Sequence, residues 1–326
     1  MKWLLTWFLL LFVPCAFSED PQLRQEAIRL MEKASSVSTA PNLPNLERVD
    51  TFHVFGNEGG GSEASAQEGS FTRVVIQGTG RRDETTFGNY HVIDVWTRGR
   101  LATSRTREVA PPEVATLMRV TPIYMVRFDH EDVIHSITDR NINGRAARCI
   151  AFDTVAGQKT QNNELCVDAA NGTLLLSKIG NETIENSDYF PFAEVLMPGR
   201  ISYSYGGVRR LEISQTMTSL TEATANVLAA PPDAQIRTLC TTFRRAFGEQ
   251  MPQPKPGNGG STFEVVLRGM IGIDGRVRDA VVQSSERSDL EPEALALIQQ
   301  WVFTPAMCNG HPNPTQASFT LHFQGR

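Results

Sequence analysis

The sequence is short of the features that announce chemistry. It has no G-x-S-x-G elbow and no H-E-x-x-H pair, and neither of its glycine runs is followed by the Lys-Ser/Thr of a phosphate-binding loop. Gly59-Gly60-Gly61 and Gly257-Asn258-Gly259-Gly260 therefore read as linkers. No cysteine pair has C-x-x-C spacing, which excludes zinc ribbons and thioredoxin-like redox motifs. His130-Glu131-Asp132 and His135 have the composition of a metal site, but a spacing of five does not place two histidines on one helix face, so the stretch reads as a solvated loop. The charge balance is not basic: 31 Lys and Arg face 36 Asp and Glu, a net charge of -5, which argues against nucleic acid as a partner. No catalytic residue, cofactor or metal is expected, and the chain does not read as an enzyme.

Long hydrophobic runs are also missing. The longest, Trp3 to Phe17, is broken by Thr6 and Pro14 and falls short of the roughly 20 residues that span a bilayer as a helix. It follows Lys2 and precedes small residues at Ala16 and Ser18, the pattern of a secretory signal cleaved before Glu19. Residues 1–18 are thus expected to be a signal peptide and the protein to be periplasmic; an uncleaved inner-membrane anchor is the alternative. Pro14 before Cys15 does not suit lipidation. Beyond the leader the cysteines number four, Cys149, Cys166, Cys240 and Cys308, an even count that favours disulfides in an exported chain. The pairs Cys149–Cys166 and Cys240–Cys308 are expected, the first across adjacent strands and the second stapling the helix that enters the C-terminal region to that region.

What remains is mostly strand. Leu23, Ala27, Leu30 and Met31 share a helical face in the segment from Pro21 to Ser36, and Pro112 to Arg119 reads as a second short helix. Between Thr51 and Leu220, alternating runs are separated by turn signals such as Arg98-Gly99 and Gly206-Gly207, giving a large antiparallel sheet with few helices. Ala229-Ala230-Pro231-Pro232 marks a boundary. Ile236, Leu239, Cys240 and Phe243 then keep helical spacing, so a helix is expected from Asp233 to Phe247, followed by the Pro/Gly connector Met251 to Gly260. The expected organisation is α+β: a β-rich domain over 19–225, a helix and linker over 226–260, and a small antiparallel sheet covered by helix over 261–326.

The last segment is the most legible. Phe263, Val265, Leu267, Ile271 and Ile273 alternate onto one face, and Asp274-Gly275 suits a type I′ turn. Ser288 and Glu291 have capping-box spacing, with Pro292 in the first turn of a helix carrying Leu290, Ala294, Leu297, Ile298 and Trp301 on one face. In the last strand Phe319, Leu321 and Phe323 oppose Ser318, Thr320 and His322. The ordered blocks IGIDGRV (Ile271–Val277), VVQSS (Val281–Ser285), LEPEAL (Leu290–Leu295), WVFTPAMCNGHP (Trp301–Pro312) and FTLHF (Phe319–Phe323) resemble the C-terminal domain of TonB-type energy transducers. The resemblance covers about a quarter of the chain. It implies a module that binds envelope proteins, a TonB-dependent outer-membrane transporter among them. The alternation itself makes the last strand a candidate sheet edge, with Ser318, Thr320 and His322 beside backbone groups open to an added partner strand unless the chain's own linker covers them. A homodimer paired through that edge stays open. A family transducer has a long Pro-rich spacer; here a β-rich domain stands in its place. That domain, with its cysteine hairpin and the stretch YFPFAEVLMPGRI (Tyr189–Ile201), resembles periplasmic lipoprotein-carrier half-barrels, which implies the alternative function of carrying lipid, lipoprotein or another apolar ligand.

Overall fold

The computed structural model describes residues 20–39, 42–56, 66–121, 128–156, 159–221, 226–255 and 260–324. The expected leader and the Gly59–Gly61 linker lie outside them. No helix among the described residues is long and apolar enough to cross a membrane. The chain forms two compact units, one from its N-terminal residues to Ser35 with Met125–Gly180, the other from Ser36–Tyr124 with Asn181–Arg326.

In the first unit, helix α1 (Pro21–Ser38) begins where the Asp20 carboxylate accepts the Gln22 N–H at 2.9 Å, with Pro21 in the first turn. Its apolar stripe buries Ala27, Met31 and Ala34 against Ile150, Phe152 and Leu165 of an antiparallel sheet. That sheet runs Leu174–Ile179, Lys159–Asp168, Arg145–Ala156, Val133–Ile142. Cys149 lies directly opposite Cys166 and is bonded to it, with Cα atoms 4.0 Å apart. Asn143 and Gly144, both at positive φ, make the two-residue turn into the Arg145 strand.

In the second unit nine antiparallel strands lie side by side in one sheet, in the order Gln235–Thr238, Arg100–Arg105, Tyr90–Thr97, Gly80–Phe87, Gln67–Ile76, Leu46–Val54, Val208–Ser219, Arg200–Tyr205, Glu182–Ser187. Arg98-Gly99 and Gly206-Gly207 take positive φ and make the expected tight hairpins. Helix α2 (Pro112–Val120) sits on one face. Val114, Leu117 and Val120 close over Phe52, Phe71, Leu211 and Ile213. Farther along the buried positions of Leu46–Val54 the face turns polar. Arg48 pairs with fully buried Asp50, whose carboxyl is pushed up by loss of water, against the opposing pull of Arg48.

The same unit contains the C-terminal module. Its sheet has the order Val277–Ser285, Thr262–Ile271, Thr315–Gln324, and helix α3 (Glu291–Ile298) buries Ala294 and Ile298 against Val265, Leu267 and Leu321. Trp301, Phe303 and Phe319 pack with ring centroids 5.7–6.1 Å apart, and the Trp301 indole N–H donates to the Pro252 carbonyl at 3.0 Å.

Four local expectations change. No helix forms from Asp233 to Phe247: the segment is extended as Gln235–Thr238, Phe243–Arg244 and Phe247–Gln250, pairing with Arg100–Thr103, Met307–Cys308 and Val302–Thr304. The Asn309 carboxamide oxygen accepts the N–H groups of both Thr241 and Thr242, at 3.0 Å each, and β-branched residues there resist a helix as well. The turn after Ile271 is not type I′, because only Gly275 takes positive φ; Gly275 N–H bonds the Gly272 carbonyl at 3.0 Å, and Ile273 is left exposed. This is a type I turn closed by a left-handed glycine. Ser288 caps nothing: it opens a 3₁₀ turn, Ser288–Leu290, held by the Arg287–Asp289 ion pair. Finally, α3 ends at Ile298, so Trp301 reaches the core from the following segment.

Candidate partner-binding edge

Thr315–Gln324 is the outer strand of the module's sheet. Its backbone is paired on one side only among the described residues, in unbroken register from Thr262↔Gln324 to Ile271↔Thr315. Alternation commits Phe319, Leu321 and Phe323 to the core and leaves Ser318, Thr320 and His322 exposed on the other face.

The direction of the unpaired backbone groups follows from the central strand. Glu286 N–H donates to the Glu264 carbonyl at 3.0 Å, and Glu264 N–H donates to the Glu286 carboxylate at 2.8 Å. Both Glu264 groups therefore face away from the last strand. Successive residues of a strand point their N–H and C=O to opposite sides, so Phe263, Val265 and Leu267 face it. Phe323, Leu321 and Phe319, their register partners, use their backbone groups inward. Ser318, Thr320 and His322 then aim theirs outward, into the open edge. The three residues singled out in the sequence thus present both exposed side chains and outward backbone groups. At the strand's start the edge is tied in: Gln316 accepts from Arg268 at 2.9 Å and donates to the Glu108 carbonyl at 3.3 Å. Burial holds the Arg268 guanidinium below its ordinary pKa.

Cys240 and Cys308 are bonded, Cα atoms 5.1 Å apart, fastening the extended lead-in segment beside the module. The other grouping with metal-ligand composition, Cys149, Glu164 and Cys166, has both sulfurs committed to a disulfide and cannot offer thiolates. His135 pairs with Asp153 at 2.8 Å and His130 lies near Glu131 at 3.7 Å, so the two histidines have separate partners. A cleft of about 480 Å³ between Arg105–Val109 and Asp279–Val281 is lined largely by charged and polar groups.

Residues 260–324 match the family of Gram-negative bacterial TonB protein C-terminal domains. The matched TonB-type module is about a fifth of the chain. No curated protein matches the sequence. Solved structures give weak likenesses. A LolA superfamily protein from Nitrosomonas europaea is 11% identical, with a TM-score of 0.38 over 62% of this chain and 97% of that one. A DUF1329 family protein from Desulfovibrio piger is 10% identical, TM-score 0.41, over 63% and 96%. The MucA/MucB complex of Pseudomonas aeruginosa gives 12%, TM-score 0.29, over 77% and 81%.

Proposed function

We propose that this is an exported, periplasmic binding protein whose TonB-type module takes up an extended segment of an envelope protein as an added strand beside Thr315–Gln324. The observation that carries the reading is the outward set of N–H and C=O groups at Ser318, Thr320 and His322. A partner chain laid there gains main-chain hydrogen bonds with little demand on its sequence, and the exposed side chains select among partners. A TonB-dependent outer-membrane transporter is the partner we favour on the family match. The inner face of the larger sheet, filled by α2 and polar at Arg48–Asp50, favours protein binding over carriage of an apolar ligand.

Thr320→Pro tests the edge. Proline there removes an outward N–H and leaves the ladder to Thr262–Ile271 intact. Crosslinked capture of envelope partners is expected to fall roughly five- to tenfold, the worth of about one hydrogen bond plus the ring's obstruction. Unchanged capture by a variant with wild-type circular dichroism would remove the edge from consideration, and capture of only the protein's own copies would assign the edge to a homodimer.

Export has its own check. N-terminal sequencing of the protein from the envelope fraction is expected to begin at Glu19; a chain still beginning at Met1 would favour the anchored alternative.

A further inference from the structure

The segment between the large sheet and the TonB-type module puts its large apolar side chains into solvent. Ile236 is 64% exposed, Leu239 43%, Phe243 52%, Phe247 73% and Met251 43%. Water-facing apolar residues are ordinary when scattered singly, but five within sixteen residues, two of them phenylalanines, are not. Nor is the segment loose. It is pinned by the Cys240–Cys308 bond, by pairing of Phe243–Arg244 and Phe247–Gln250 to the module, and by the Asn309 bonds to Thr241 and Thr242. The fold holds these side chains outward.

Charge indicates what covers them. From Ile236 to Met251 the chain carries Arg237, Arg244 and Arg245 against a single carboxylate, Glu249, which accepts the Thr304 hydroxyl, although the whole protein has a net charge of -5. Arg244 and Arg245 are exposed, lie between the two protruding phenylalanines, and have no carboxylate partner among the described residues. A second copy of the chain fits poorly, because a two-fold contact centred here would set arginine pairs against each other. Apolar side chains that insert singly, bordered by arginines that stay at the surface, match an interface of acyl chains below and anionic headgroups above. We infer that the strip Ile236–Met251 docks the protein on an anionic lipid surface, with Phe243 and Phe247 inserted and Arg244 and Arg245 against the headgroups. The strip pairs in sheets other than that of the edge strand, so the two functions are independently testable.

The experiment is co-sedimentation of the full exported chain with vesicles of phosphatidylethanolamine containing a quarter phosphatidylglycerol, against pure phosphatidylcholine. The anionic vesicles are expected to bind at least ~tenfold more tightly, and added salt to weaken them. Phe243→Ser with Phe247→Ser, and separately Arg244→Gln with Arg245→Gln, are each expected to lose roughly tenfold or more. All four positions are solvent-facing, so the fold should be retained, as circular dichroism would verify, and Thr320→Pro should bind vesicles like wild type. Equal binding to the two vesicle types, no binding to either, or wild-type binding by either double variant would overturn the inference. A concentration-dependent dimer abolished by Phe247→Ser, without vesicle binding, would assign the strip to a second copy. Capture of an acidic peptide in place of vesicles would assign it to a protein.

Discussion

Replacing Cys240 and Cys308 together with serine is expected to lower the unfolding free energy of the C-terminal module by about 4 kcal/mol. The bond joins residues 68 positions apart, and the entropy released to an unfolded chain grows with the length of the closed loop. It also holds the lead-in segment where pairing alone is thin: two residues at Phe243–Arg244 and a bulged ladder at Phe247–Gln250. Without the bond those short ladders must hold against the solvent exposure of Phe243 and Phe247. Cys149–Cys166 spans only 17 positions, and its loss should cost about 1 kcal/mol less by the same loop argument. Denaturant titration followed by tryptophan fluorescence gives the comparison. Trypsin adds a local readout, with cleavage at Arg244 and Arg245 accelerating in the serine variant. A loss below about 1 kcal/mol would mean that pairing, not the covalent staple, fixes the segment.

The elements that could be read from the sequence are those whose pattern and surroundings agree. Phe319, Leu321 and Phe323 alternate with polar residues, and one face of their strand is buried, so period and burial coincide. The two-residue turns at Arg98-Gly99 and Gly206-Gly207 were readable because positive φ has few tolerant residues. From Asp233 to Phe247 the pattern and the fold part company. Ile236, Leu239 and Phe243 are spaced as a helix would bury them, yet the segment is extended and those side chains are exposed; no local signal shows that the backbone is claimed by Arg100–Thr103 and Met307–Cys308, far away in sequence. Grouping α1 with Met125–Gly180 is likewise non-local, since Ala27 and Ile150 meet across more than a hundred residues. The edge residues could be named because their alternation is local. That Thr315–Gln324 is outermost, and that Thr320 turns its N–H outward, depends on the strand order and on the Glu264–Glu286 bonds.

Gly275→Ala is expected to destabilise the module by about 3 kcal/mol or more, and Gly310→Ala by only about 1 kcal/mol, although both glycines lie in turns at similar positive φ, +74° and +83°. The difference is space. A Cβ on Gly275 would lie 1.9 Å from the Phe303 carbonyl oxygen, whereas one on Gly310 would meet nothing within 4 Å. Phe303 has no slack to retreat. Its N–H donates to the Gly275 carbonyl at 2.9 Å, Arg276 bridges Val302 beside it, and its ring is buried against Phe319 and Trp301. The Ile271–Val277 turn and the Trp301–Phe303 segment are therefore in backbone contact, and only glycine lets them approach so closely. An alanine must push the turn off Phe303, which loosens the aromatic cluster under the edge strand. Partner capture by Gly275→Ala should then fall as temperature approaches its lowered midpoint, while Gly310→Ala should capture like wild type. Paired denaturant titrations of the two variants decide the matter: equal losses of about 1 kcal/mol would show that the backbone angle alone is being measured and that the Phe303 contact yields without cost.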